Sequence, residues 1–204
     1  MTPEWLDLLD WRRRVSDLYR EIRAEADPEA AWRRWRAARD EMFKTHPQSP
    51  LPQAARASFG GLPYFAYDPS ARVYAAVRTA EPAAYALEGS AGAAYGASRV
   101  AHAVFALAGR ACTAALYWLE GYAGGLFLPF RDDTSGGDTY GAGRYLLDTA
   151  KGADLGARDG RLVLDFNFAY HPSCVYDGRW SCPLAPPDSR LALPVRAGER
   201  LPRA

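Results

Sequence analysis

The chain has 204 residues, 49% of them hydrophobic and 24% charged, with 25 basic against 24 acidic side chains and a formal net charge of +1. That length fits one domain with a sizeable core, and so even a balance sets up no field to draw nucleic acid or an anionic membrane. No apolar run approaches the length of a membrane span, the N-terminus lacks the basic-then-apolar pattern of a secretory signal, and three cysteines cannot all pair within one chain. A cytoplasmic protein with reduced thiols is the expectation.

Two helices open the chain. Thr2 is placed to cap the first, with Pro3 in its first turn, where a missing N–H costs nothing. Trp5, Leu8, Trp11, Val15, Leu18 and Ile22 then recur at spacings of three and four and form one apolar stripe. Asp27-Pro28 repeats the start signal, and a second stripe through Trp32, Trp35, Ala38, Met42 and Phe43 ends before Pro47. Over residues 1–46 ten basic side chains face ten acidic ones, with Asp10/Arg14 and Glu29/Arg33 at i, i+4 spacing. The run Arg12 to Arg14 therefore reads as part of a solvated, salt-bridged face.

Beyond Ser49-Pro50-Leu51-Pro52 the period changes from helical to alternating. Leu62–Tyr67, Arg72–Arg78, Tyr85–Glu88, Val100–Leu107, Ala111–Leu119, Gly125–Phe130, Arg144–Leu147 and Leu162–Phe168 read as strands. The Ala-Gly-rich stretch from Ser90 to Ser98 fits a loop or a weak strand. The predicted class is α+β: two N-terminal helices packed on an antiparallel β-barrel or β-sandwich. Residues 1–47 form the helical segment and 48–204 the β-rich part of a single structural unit.

Polar residues concentrate between 128 and 147. After Phe130 a loop carries Asp132, Thr134, Ser135, Gly136, Gly137, Thr139 and Tyr140, and Arg144 returns on the next strand. Glycines there would free backbone N–H groups to converge on an anion, and a guanidinium suits a carboxylate or phosphate. The same residues also fit a long hairpin whose Asp and Thr side chains cap their own backbone, with Arg144 a buried strut paired with Asp132 or Asp165. The Gly-Lys-Ser/Thr ending of a nucleotide-hydrolase phosphate loop is absent.

In a strand, Asp165 and Asn167 would share a face, able to orient a substrate or to bond a neighbouring loop. His171, Cys174 and Cys182 are weak metal candidates, because their spacing lacks paired Cys-x-x-Cys knuckles. Cys174 and Cys182 also fit a small disulfide loop, two packed thiols or, with His171, a nucleophilic pair. His102 reads as a core or strand-face residue. No Ser-His-Asp constellation, dinucleotide fingerprint or RNA-binding aromatic signature occurs.

The run Phe130 to Leu146, the Leu164-Asp-Phe-Asn motif, and the ending with Cys182-Pro, Pro186-Pro, Arg190-Leu and Ala197-Gly-Glu resemble domain-of-unknown-function family 1684. The likeness spans roughly residues 43–199 and includes Phe59-Gly-Gly-Leu-Pro-Tyr-Phe65. It maps the family pattern onto Asp132, Thr134, Gly136, Thr139, Tyr140, Gly141, Arg144, Tyr145, Asp165, Asn167, Tyr170, Cys174, Tyr176, Cys182, Arg190 and Glu199. His171 and Ser189 depart from it, since asparagine is expected at both. The resemblance implies a shared site near these motifs and supplies no reaction and no cofactor.

The leading expectation is a small-molecule site for an anion, with catalysis left open. Asp132, Asp165 and Tyr140 are its candidate catalytic residues. Thr134, Ser135, Gly136, Thr139, Arg144, Asn167 and Arg190 are its candidate ligand contacts. A rival is a non-catalytic interaction domain in which these residues form a rigid network and the N-terminal helices dock a partner or a second copy. A flavin-binding split barrel is a minor third reading.

Overall fold

The computed structural model describes residues 4–122 and 124–202, so the cap expected from Thr2 and Pro3 lies outside the described residues. Helix α1 runs Glu4–Ala24, α2 Pro28–Thr45 and the single turn α3 Gln53–Arg56. As expected, Asp27 caps α2, its side chain accepting from the Glu29 N–H at 2.9 Å, with Pro28 in the first turn. The surface pairs are present too: Arg14–Asp10 at 2.7 Å and Arg33–Glu29 at 2.6 Å. No helix among the described residues is long and apolar enough to cross a membrane.

Seven strands follow: β1 Arg72–Glu88, β2 Ala94–Leu107, β3 Arg110–Leu119, β4 Gly125–Phe130, β5 Arg144–Asp148, β6 Ala157–Arg158 and β7 Arg161–Asp165. They pair antiparallel in the order β5-β4-β3-β2-β1-β7-β6. The class is α+β, as the sequence reads. The sheet is open, since the end strands β5 and β6 do not pair with each other.

Three strand expectations need correction. Arg72–Arg78 and Tyr85–Glu88 belong to one strand, β1, whose register slips between Thr79 and Ala83. Pro82, which has no N–H for the ladder, falls in that bulge. Leu62–Tyr67 is irregular, with a lone bridge from Tyr64 to Glu199; Pro63 again withholds a donor. The strand expected over Leu162–Phe168 is β7, which stops at Asp165 because its carboxylate accepts from the Asn167 N–H at 3.0 Å and bends the chain into a 3-10 turn at Phe166–Phe168. Of the ambiguous Ala-Gly stretch, Ala94 onward joins β2.

One core lies on the sheet, where Ala103, Phe105, Leu116, Leu128, Phe130 and Phe166 meet the C-terminal tail. That tail alternates: Leu191, Leu193, Val195 and Ala197 are buried, and the residues between them are exposed. A second core joins helices to body through Leu18, Tyr19, Ile22, Trp32, Trp35 and Phe168. Trp32 Nε1 donates to the Asn167 carbonyl at 3.0 Å, and the Trp35 and Phe168 rings stand 5.1 Å apart. Truncating a buried tryptophan of this kind costs about 3–5 kcal/mol. The first turns of α1 lie off this core, so Trp5 of the predicted stripe is 73% exposed.

Candidate functional site

The loop between β4 and β5 is closed upon itself. Asp132 and Arg144 are both 0% exposed. Asp132 Oδ2 accepts from Arg144 Nη2 at 2.9 Å, while Oδ1 accepts from the Thr134 N–H at 2.7 Å, the Thr134 hydroxyl at 2.6 Å and the Val195 N–H at 3.2 Å. Arg144 also donates to the carbonyls of Val195, Ala197 and Glu199, pinning the tail to the sheet. Thr134 and Thr139 share a hydroxyl bond of 2.9 Å, and the Ser135 hydroxyl accepts from the Asp132 N–H.

The backbone N–H groups expected to cradle an anion have internal partners. Ser135 donates to Asp132, Gly136 to Thr139, and both Gly137 and Thr139 to Thr134. Gly136, at φ +90°, makes that turn possible. This is the geometry of the strut in the alternative reading, with Asp132 paired to Arg144, and neither side chain lines the cavity under the helices. Apart from Arg144 Nε, which is buried without a partner among the described residues, the network is paired, and that fixes its geometry.

Asp165 and Asn167 form a separate network. Asp165 Oδ1 accepts from the Asn167 side-chain amide at 2.8 Å and Oδ2 pairs with Arg72 at 3.1 Å, while Asn167 bridges to the Asp68 backbone. Arg190 lies on the surface and pairs with Asp133 at 2.6 Å. Asp165 and Asn167 therefore make no hydrogen bond to Asp132 or Arg144 among the described residues, while Arg190 meets the loop only at its surface. His171 is buried; its Nε2 accepts from the Tyr140 N–H at 3.2 Å and its Nδ1 is 3.6 Å from Glu199. Cys112, Cys174 and Cys182 are free thiols, and no three His, Cys, Asp or Glu side chains among the described residues group as metal ligands.

An open site lies elsewhere, under the helices. A cavity of about 210 Å³ is bounded by α1, α2 and the C-terminal loops. A single water needs about 10–15 Å³ by this measure, so the space suits a small organic molecule. Aromatic rings of Trp11, Tyr19, Trp35, Phe43, Tyr170 and Trp180 line it. Three cations line it, Arg12, Arg39 and Lys151, with no carboxylate among the lining residues.

Arg39 is the central one. Its Nε donates to the Tyr64 hydroxyl at 3.1 Å and its Nη2 to Glu199 Oε2 at 2.8 Å. Its Nη1 makes no hydrogen bond among the described residues. The guanidinium carbon sits 4.8 Å from the Trp35 ring centre, 5.1 Å from Phe43 and 4.9 Å from Tyr170, which orients it and thins its water. Lys151, half exposed, pairs with Asp148 at 3.1 Å. The Tyr19 hydroxyl accepts from Trp35 Nε1 at 3.1 Å and keeps its own proton to donate. Burial pushes the hydroxyls of Tyr19 and Tyr170 far above the usual tyrosine range, so both stay neutral donors.

Sequence reading passed over Arg39, Lys151 and Tyr19. Arg39 carried a signal nonetheless: its i−4 and i+4 neighbours are Trp35 and Phe43, so it lies on the apolar stripe with no acidic residue three or four positions away.

No curated protein matches the chain. Among solved structures it is similar to the uncharacterized protein from gene locus rrnAC0354 of Haloarcula marismortui, known from solution NMR. The two are 37% identical, with a TM-score of 0.61 over 85% of this chain and 94% of that one. The model of the family described as "Protein of unknown function (DUF1684)" matches residues 57–200. That segment contains the Asp132–Arg144 network, the cysteines and Glu199, whereas Arg12 and Arg39 precede it. With the family model matching well over half its length, the chain belongs to the DUF1684 family.

Proposed function

We propose that the protein binds a small amphipathic organic anion, a monocarboxylate with an aromatic or aliphatic body, in the cavity beneath α1 and α2. The observation that carries this reading is Arg39, a cation boxed by three aromatic rings with Nη1 lacking a partner. The rings would take the apolar body, and Arg39, Lys151 and the two tyrosine hydroxyls the carboxylate. Binding is favoured over catalysis because His171, the imidazole on the wall, has its Nε2 lone pair engaged by the Tyr140 N–H.

The test is a titration with phenylacetate and octanoate against their neutral amides, followed by tryptophan fluorescence. The acids are expected to bind about 10-fold or more tightly than the amides, as befits a hydrogen bond to a charged group. The double variant Arg39→Met/Glu199→Gln removes both buried charges together and should abolish that difference. Equal binding of acid and amide, or saturable binding of neither, contradicts the reading.

A second reading rests on Trp5, Leu6 and Leu9, exposed at the start of α1. An apolar helix end of this kind suits contact with a second copy of the chain. Light scattering over a concentration series, with Leu9→Glu alongside, separates a dimer from a monomer.

A further inference from the structure

Of the three cations in the cavity wall, Arg12 is set apart by its lack of a counter-ion. Arg39 is matched by Glu199 at 2.8 Å and Lys151 by Asp148 at 3.1 Å, and both carboxylates are buried. Arg12 makes no hydrogen bond or ion pair among the described residues, whereas Arg14, Arg20 and Arg23 of the same helix pair with Asp10, Asp17 and Asp154. Its place in the sequence explains this. The residues three and four positions away along α1 are Leu8, Leu9, Val15 and Ser16, none of them acidic.

Packing brings Arg12 to the cavity beside the turn that carries Lys151. Helix α1 lies against the chain just after the 3-10 turn Thr149–Lys151, so that a side chain at Gly152 would meet Ser16 Cα at 3.1 Å. Further along, Arg23 stands 3.7 Å from the Asp154 carboxylate. Arg12 is one helical turn before Ser16, and both it and Lys151 line the cavity while keeping solvent contact. An arginine on a solvated, salt-bridged face would be the plainer account. Arg14 fits that account; Arg12, unpaired and in the cavity wall, does not.

Counted with their buried partners, Arg39 and Lys151 bring no net charge to the cavity, and Arg12 alone leaves its wall positive. This matters for an anion at Arg39. Its carboxylate would stand beside that of Glu199 on one guanidinium, an arrangement that like-charge repulsion opposes. A neutral amide meets no such opposition.

We propose that Arg12 is a specificity-determining residue of the cavity, supplying the positive charge that a bound monocarboxylate neutralises. The inference rests on the reading that the cavity takes an organic anion at Arg39. Arg39 gives the hydrogen bond and the position, and Arg12 gives the balance of charge. Exposed at the rim, Arg12 acts on an anion that Arg39 has fixed and holds none by itself.

The experiment titrates octanoate and octanamide into the full chain and its variants, followed by tryptophan fluorescence. Arg12→Gln should weaken octanoate about 3-fold or more and Arg12→Glu about 10-fold, as befits a charge contact at a half-exposed rim. Octanamide should bind alike to all of them, Arg12→Lys should keep the preference for the acid, and the loss in Arg12→Gln should shrink as salt is raised. Arg13→Gln is the control, since it makes the same change in net charge one residue away and outside the cavity wall. Unchanged octanoate binding in Arg12→Gln, an equal loss in Arg13→Gln, or an equal loss of octanamide overturns the inference and leaves the anion site at Arg39 standing. No saturable octanoate binding by the unaltered chain would instead overturn the reading beneath it, and the inference with it.

Discussion

The loop from Asp132 to Arg144 and the cavity under the helices are both rich in polar groups, and they differ in whether a ligand can reach those groups. In the loop, Asp132 takes four hydrogen bonds and Arg144 gives four, all within the protein, and the one Arg144 nitrogen without a partner, Nε, is buried away from any solvent. In the cavity, Arg39 keeps a nitrogen unpaired and Tyr19 keeps a hydroxyl proton free among aromatic walls. Density of polar residues marks the first region in sequence. Spare valence facing an open cavity, visible only once the chain is folded, marks the second.

The sharpest way to break this contrast is Arg144→Met. If the loop is a strut, removing one partner of a buried ion pair leaves Asp132 uncompensated and costs about 3–5 kcal/mol. Urea denaturation reads that loss, and affinity for carboxylates, measured on the folded fraction, should stay as it was. Retained stability with lost affinity would return the site to the loop.

The pH dependence of stability sharpens the comparison from the cavity side. Burial works to raise the Glu199 carboxyl, but Arg39 and His171 outweigh it and hold the group below the usual glutamate value. Its contribution is therefore full above the unfolded value of about 4.3 and is lost as pH falls through the lower folded value. Asp165 runs the other way: burial raises it above its usual value, with Asn167 and Arg72 only partly offsetting this, so protonation there favours the fold. Glu199→Gln should accordingly flatten the acid limb of a pH series of urea midpoints, and a limb of unchanged slope would show that the Arg39 pair contributes little.

The smallest effect is expected at Arg190, whose pair with Asp133 lies at the half-exposed surface. Arg190→Ala should shift stability by about 0–1 kcal/mol and leave ligand titrations untouched. A large loss of affinity would reinstate the residue as a contact.

Much of the fold was legible before folding. Helical stripes, the Asp27-Pro28 start and most strand positions follow from local chemistry, and so does their class. The strand errors share a cause: β1 runs through Pro82 by a bulge, and Asp165 ends β7 by capturing its own backbone, both tertiary or turn-level events. The candidate site was half legible. Asp132 and Arg144 do meet, across 12 positions, but spacing cannot tell a counter-ion from a ligand contact. His171 shows the same limit. Its acceptor faces the Tyr140 N–H and its other nitrogen faces Glu199, a pattern that one asparagine amide also supplies, so exchange of the two residue types is physically mild. Arg39 was hidden because a balanced charge count over the helices described their solvent face and said nothing of one arginine on the inner stripe.

On the proposed reading, ligand chemistry belongs to the cavity and not to the loop. It is tested most directly by titrating octanoate into isotopically labelled protein and mapping amide and indole N–H shifts. Saturable shifts are expected at Trp11, Trp35 and Trp180 and at the backbone around Arg39 and Tyr170, with residues 132–144 unmoved. Shifts centred on 132–144, or none that saturate, would contradict it.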